Sequence, residues 1–263
     1  MPIVRELNHI AIFVKDLDAS LCLYVDVLGG KIIRDVSYEL AHKITGRFVY
    51  IQIAQGVVEL KHINTDTHGL KMGYHHIAFL TAHDIDVYRA ADVLRAEGYD
   101  ITLEPNPSAS GTSSQFSFED AGKCVYEVFQ RDENHRISDL ENERILAIDH
   151  ISVCVNNKTL DNVEYLLKDV FKMSLERTTK HPDKNLIYYK LGVDTIELRH
   201  IKNELPPEYP VTHITYKVAS LHEMHRYLKE NGIIVEELQE NGSMFARGPD
   251  GETMKFVNCN NSE

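Results

Sequence analysis

A short phrase written four times constrains this chain more than any other feature: His9-Ile10-Ala11, His76-Ile77-Ala78, His150-Ile151-Ser152 and His213-Ile214-Thr215. Each copy opens an apolar, β-prone run, and the copies recur roughly 65 to 75 residues apart, the signature of a repeat architecture. An amphipathic helix and further strands follow each run, so the chain reads as four related modules. Each His then holds the same place in its module. A repeated metal-ligand type in a repeated place is a chemical clue.

Module one shows the order. Leu7 to Val14 alternates, with His9, Ala11 and Phe13 on one face and Ile10, Ile12 and Val14 on the other. Asp16 and Asp18 offer N-cap oxygens, Leu17, Leu21, Tyr24 and Leu28 follow at helical spacing, and Gly29-Gly30 predicts the helix end. Strand-like runs at 31–37, 47–53 and 57–63 complete a β-α-β-β-β order. Module two repeats it with a strand at 74–80, a helix near 84–97 stopped by Gly98, and strands near Tyr99, Gln115 and 124–130. Module three, 147–201, carries the helix stripe Leu160, Val163, Leu167 and Val170; module four, 212–258, carries Leu221, Met224 and Leu228 before Gly232.

Modules 5–66 and 74–131 make an N-terminal domain over 1–131, and modules 147–201 and 212–258 a C-terminal domain over 145–259. The polar stretch 131–144, helical in part or not, reads as the linker, and 203–210, with three prolines, as a shorter connector. The segment 104–114, rich in Pro, Ser and Gly, reads as a loop over one edge. The halves also match in detail. Tyr50 to Ile63 and Tyr188 to Ile201 place Tyr, Glu, Leu, His and Ile at identical offsets, which points to duplication of a two-module unit. The expected fold is α+β: four βαβββ modules pairing into two concave mixed β-sheet cups with helices outside.

At 263 residues and 43% hydrophobic, the chain can bury a substantial core. Its formal charge of −12, spread along the sequence, argues against a nucleic-acid partner. No apolar stretch reaches membrane-spanning length, and the first residues lack a signal-peptide pattern. Cys22, Cys124, Cys154 and Cys259 form no close pair, so neither a disulfide framework nor a cysteine zinc site is expected. The expected setting is the cytoplasm, and the expected partner is a small molecule.

In a β-α-β-β-β module the first and last strands bring their inward side chains together. That joins His9 with Glu59 and His76 with Glu127. Pairing modules one and two converges two imidazoles and two carboxylates, a set suited to nickel, cobalt, zinc, manganese or iron(II). Pairing modules two and three instead gives His76, Glu127, His150 and Glu197. His150, Glu197 and His213 form either a second, three-ligand site or a relic without metal, and Lys255 stands where the last strand of module four would carry its Glu. By strand alternation His62 and His75 point away from the cup. His42, His68, His83, His135, His181, His222 and His225 are read as solvent-exposed, Glu236 to Glu240 as an acidic edge, and Tyr50, Tyr126, Tyr188 and Tyr216 as core.

The module order, the His on strand one and the Glu on strand four resemble the vicinal oxygen chelate superfamily. It includes glyoxalase I, methylmalonyl-CoA epimerase, extradiol dioxygenases and antibiotic-resistance proteins. The resemblance implies one divalent metal on His9, Glu59, His76 and Glu127, the glyoxalase I and epimerase pattern. It implies a lyase or isomerase acting through an enediolate on a substrate with neighbouring oxygens, with Glu127 as first-choice base and Glu59 as second. An alternative is a ferrous ring-cleaving dioxygenase using His9, His76 and Glu127 as a facial triad. Dioxygenases of this kind conventionally use the C-terminal pair of modules, where Lys255 breaks the triad. A third reading is a metal-free small-molecule binding or resistance protein. Monomer and homodimer both stay open.

Overall fold

The structure, a computed structural model, describes residues 2–39, 45–64, 70–107, 113–131, 135–202, 210–240 and 242–259. Module one comprises β1 (Val4–Phe13), α1 (Leu17–Leu21) continued by a π-helical turn (Cys22–Val27), β2 (Lys31–Glu39), β3 (Thr45–Ile53) and β4 (Gly56–Asn64). Module two comprises β5 (Gly73–Thr81), α2 (Val87–Ala96), β6 (Asp100–Pro107), β7 (Ser114–Glu119) and β8 (Val125–Gln130). Module three has β9 (Ala147–Asn156), α3 (Leu160–Tyr165) with a π-helical turn (Leu166–Val170), β10 (Ser174–Lys180), β11 (Lys184–Leu191) and β12 (Asp194–Ile201). Module four has β13 (Val211–Val218), α4 (Leu221–Glu230), β14 (Ile234–Val235), β15 (Ser243–Arg247) and β16 (Thr253–Asn258).

Two eight-stranded mixed sheets result, ordered β2-β3-β4-β1-β5-β8-β7-β6 and β10-β11-β12-β9-β13-β16-β15-β14. Modules one and two therefore share one sheet and modules three and four the other, which decides the pairing that local spacing left open. Within a module the first and last strands are parallel neighbours, and parallel neighbours need a crossover, which the helix supplies. The register sets Ala11 opposite Glu59, Ala78 opposite Glu127, and Thr215 opposite Lys255.

The helices start where short acids and hydroxyls can cap them. Asp16 accepts from the Ala19 N–H at 3.0 Å, Asp86 from the Arg89 N–H at 2.8 Å, and Ser220 from the Glu223 N–H at 3.3 Å. The first helix departs from its expected stripe. Its π turn, marked by the Leu28 N–H donating to the Leu23 carbonyl, adds a residue per turn. Leu23 and Val27 thereby join Leu17, Tyr24 and Leu28 in the core, while Leu21 is only half-buried.

Gly30 fits a place no side chain could. A Cβ there would lie 2.5 Å from both Ile51 Cγ2 and the Tyr24 carbonyl oxygen. Gly30→Ala is expected to cost about 1–3 kcal/mol through overpacking. A melting temperature equal to wild type would show that this turn relaxes freely.

Two sequence expectations need adjustment, and one open alternative is decided. The segment 104–114 is not all loop, because β6 runs on to Pro107 and pairs there with Ser114, its register shifting twice on the way. Cross-strand hydrogen bonds outweigh the weak strand preference of Pro and Asn at this edge. No helix forms at 135–144. His181 and His225 are half-buried rather than exposed. The connector 203–209, His42 and His68 lie outside the described residues. Among the described residues no helix is long and apolar enough to cross a membrane.

The chain forms two compact units: Met1–His9 with His76–Asn134 and Ser152–Thr212, and Ile10–His75 with His135–Ile151 and His213–Glu263. In the first, the Phe171 ring packs 4.8 Å from Phe79, 6.1 Å from Tyr126 and 6.2 Å from Phe118. In the second, the Tyr24 hydroxyl donates to Glu252 at 3.0 Å, and Gln55 donates to the Ile148 carbonyl at 2.5 Å.

Candidate metal centre

His9 and Glu59 sit on adjacent parallel strands of the first sheet, and His76 stands on the neighbouring β5. Each offers a ligand atom, and the three atoms lie within 4.8 Å of one another. His9 Nε2 is 3.3 Å from His76 Nε2. Glu127 joins through His76, with Oε2 at 2.8 Å from that Nε2. All four side chains are buried, with Glu127 the most exposed at 4%. Buried carboxylates without compensation are costly, so a dense cluster of this kind asks for a cation.

The imidazoles are aimed by their neighbours. His9 Nδ1–H donates to Asn8 Oδ1 at 2.7 Å, which leaves Nε2 as the lone-pair nitrogen facing the cluster. An outer polar partner that fixes tautomer and ring orientation is characteristic of metal-ligating histidine. Phe129, two residues past Glu127, sets its ring 5.5 Å from that of His9 and forms an apolar cluster with Ala78 and Leu80. Lys61 Nζ lies 3.9 Å from Glu59 Oε2.

A second group, His150, Glu197 and His213, brings its ligand atoms equally close, but those of Glu197 and His150 are otherwise engaged. Ser152 Oγ donates to Glu197 Oε1 at 2.7 Å, and the Tyr188 hydroxyl donates to Glu197 Oε2 at 2.6 Å. Thr215 Oγ1 lies 2.9 Å from His150 Nε2. His150 Nδ1–H donates to Asp149 at 2.7 Å, and Lys217 reaches the same carboxylate at 2.5 Å. Burial pushes the Asp149 carboxyl up, but the His150 and Lys217 contacts outweigh it and hold the group below its ordinary range. Lys255, at 8% exposed, keeps the place of the fourth ligand.

The third residue of the repeated phrase separates the two groups. Ala11 and Ala78 stand opposite Glu59 and Glu127 and offer no hydroxyl, whereas Ser152 and Thr215 supply hydroxyls that occupy the ligand atoms of the second group. Sequence reading missed this distinction, although the residues were in view. It also missed Asn8 and Asp149, each immediately before its His, and the Tyr188 hydroxyl. The grouping His76, Glu127, His150 and Glu197 is not formed; His76 goes with His9 and Glu59. Of the flanking histidines, His62 Nδ1 is 3.2 Å from the Val14 carbonyl, and the His75 ring packs 4.4 Å from Phe13.

Residues 6–128 match the profile of the Glyoxalase/Bleomycin resistance protein/Dioxygenase superfamily. A probable lactoylglutathione lyase of Synechocystis is 33% identical over 131 residues, 47% of this chain and 94% of that protein. The Mn(II)-bound glyoxalase of Novosphingobium aromaticivorans superposes with a TM-score of 0.66 at 20% identity, over 98% of this chain and 83% of that one. Homoprotocatechuate 2,3-dioxygenase of Arthrobacter globiformis gives a TM-score of 0.66 at 16% identity, over 98% and 80%. At such identities these two likenesses speak for the fold alone. The sequence match to module pair one, together with two sheets of β-α-β-β-β modules and buried His/Glu groups able to hold a divalent ion, leads to one conclusion: this chain belongs to the Glyoxalase/Bleomycin resistance protein/Dioxygenase superfamily.

Proposed function

We propose that the chain is a divalent-metal-dependent lyase or isomerase of the glyoxalase or epimerase kind, acting on a small substrate with two neighbouring oxygens. The observation that carries this reading is the donor set: His9, Glu59 and His76 form one group, and a second buried carboxylate, Glu127, stands 2.8 Å from His76 Nε2. A ring-cleaving triad needs one carboxylate, whereas proton transfer at carbon benefits from a second that can act as base. His9, Glu59, His76 and Glu127 would hold the ion, be it nickel, cobalt, zinc, manganese or iron(II). Such an ion supplies Lewis-acid polarisation of the substrate oxygens.

The chain's own residues do the rest. Asn8 holds His9 in the tautomer that presents Nε2. Glu127 takes a carbon-bound proton on a carboxylate oxygen and returns it, and Glu59 is the second choice for that role. One step along the sheet from the Ala78–Glu127 pair, Leu80 stands opposite Phe129, and Ala78, Leu80 and Phe129 form an apolar cluster. We read the second group as holding no metal, because hydroxyls already bond Glu197 and His150 and Lys255 brings an ammonium. The domains are read as 1–131 and 145–259, each with one complete sheet.

Elemental analysis of anaerobically purified protein is expected to give one divalent metal per chain, and two per chain would overturn the reading of the second group. Hemithioacetals and epimerisable acyl compounds are the first substrates to try. Glu127→Gln should lower their turnover by about 10²–10⁴-fold, the usual contribution of a positioned base. Predominant iron together with oxygen uptake on catechols would replace this reading with the dioxygenase.

A further inference from the structure

Beside Glu59, on the same face of β4, stands a lysine with one ion pair and two aromatic neighbours. Lys61 is two residues on from Glu59, and alternation puts both side chains on one face. Its side chain is only 14% exposed. The register places Phe48 and Phe13 on either side of it across the sheet. The ammonium lies 4.6 Å from the centre of the Phe48 ring and 5.8 Å from that of Phe13. Among the described residues its nearest anionic atom is Glu59 Oε2, at 3.9 Å, beyond hydrogen-bond reach. A strongly hydrated cation with three donors is thus held half-buried between two aromatic walls, with one carboxylate oxygen at ion-pair distance.

Charge accounting gives this arrangement a direction. Two glutamates balance a divalent ion, and the two imidazoles are neutral ligands. A metal on Glu59 therefore leaves the Lys61 charge without a counter-ion next to a second cation. An anionic group on the substrate restores the balance, and its oxygens supply the acceptors the ammonium lacks. One row along the same face, Arg34 stands opposite Tyr50, which stands opposite Glu59.

We propose that Lys61 is the specificity-determining residue of the cup, and that the substrate carries a carboxylate or phosphate close to its two metal-directed oxygens. This inference rests on the metal-chelate reading above. Acetohydroxamate, a chelator with two neighbouring oxygens and no further anionic group, and its carboxylated and phosphonated analogues separate the two ideas. Calorimetry on zinc-loaded wild-type protein is expected to show an anionic analogue binding at least about tenfold tighter than acetohydroxamate, the scale of a charge-assisted contact in a shielded site. The tighter of the two anionic analogues tells carboxylate from phosphate.

In Lys61→Gln the preference should vanish while acetohydroxamate affinity and zinc content hold, and in Lys61→Arg the preference should survive. Equal binding of all three probes to the wild type overturns the inference and leaves the metal reading intact. Failure of every probe to bind overturns the metal reading, and this inference with it. A Lys61→Gln protein that loses zinc or acetohydroxamate along with the preference would make Lys61 a support of Glu59 and overturn the proposal.

Discussion

His76→Ala should strip the protein of its metal and leave the fold weakened. His76 Nε2 is shared between His9 Nε2 at 3.3 Å and Glu127 Oε2 at 2.8 Å, so it is the hinge of the cluster. Removing even an outer-shell partner of a metal ligand typically costs 10–100-fold in affinity, so loss of a direct ligand is expected to exceed about 100-fold. The same change removes the imidazole at 2.8 Å from the buried Glu127 carboxylate, and loss of such a buried hydrogen-bond partner costs about 1–3 kcal/mol. Two readouts check this: metal retained after dialysis, and denaturation midpoints with and without chelator. In the wild type a chelator should lower the midpoint, since a ligand bound only to the native state stabilises it. In His76→Ala the chelator should change nothing. A variant that keeps one metal per chain would remove His76 from the ligand set.

The second large effect concerns a carboxyl far in sequence from the cluster. Glu252 is 3% exposed, accepts from the Tyr24 hydroxyl at 3.0 Å and from the Asp250 N–H at 3.0 Å, and among the described residues has no Lys or Arg partner. Burial, reinforced by the nearby Asp250 carboxylate, pushes its pKa from 4.5 up to about 7 despite those hydrogen bonds. A raised carboxyl pKa means that folding favours the protonated form. Its stability is fully present below pH 4.5 and is lost as pH rises through about 7. The loss amounts to about 3 kcal/mol above neutrality, at 1.36 kcal/mol per pKa unit.

Glu252→Gln keeps the shape and removes the ionisation. It should match the wild type near pH 5 and exceed it by a few kcal/mol at pH 8. Asp120, pushed up mainly by burial to about 6, adds a smaller trend of the same sign. Urea midpoints measured from pH 5 to 8 decide the matter. A variant as pH-dependent as the wild type would mean that Glu252 is hydrated in solution.

Much of this molecule was legible before any coordinates. The fourfold His phrase located the first strand of every module, and apolar stripes located the helices of modules one, three and four, because both signals are local. Glu59 and Glu127 were paired with His9 and His76 from the βαβββ order, which sets the first and last strands of a module side by side. The π turn at Cys22–Val27 was not legible, since nothing in its composition departs from an ordinary helix. The extension of β6 to Pro107 was hidden because strand formation at an edge depends on the partner strand more than on local preference.

The sequence by itself determined the number of modules, the order of elements in each, and which face of each strand carries the polar residues. All of these follow from spacings of two, of three to four, and of one module length. Tertiary structure alone decided that modules one and two share a sheet, and that Ser152, Thr215 and Tyr188 occupy the ligand atoms of the second group. It also decided that Lys61 stands between two phenylalanines beside Glu59. The physical reason is common to these cases. Each depends on which strand lies beside which, and in what register, across tens of residues of intervening chain, and no local periodicity encodes that.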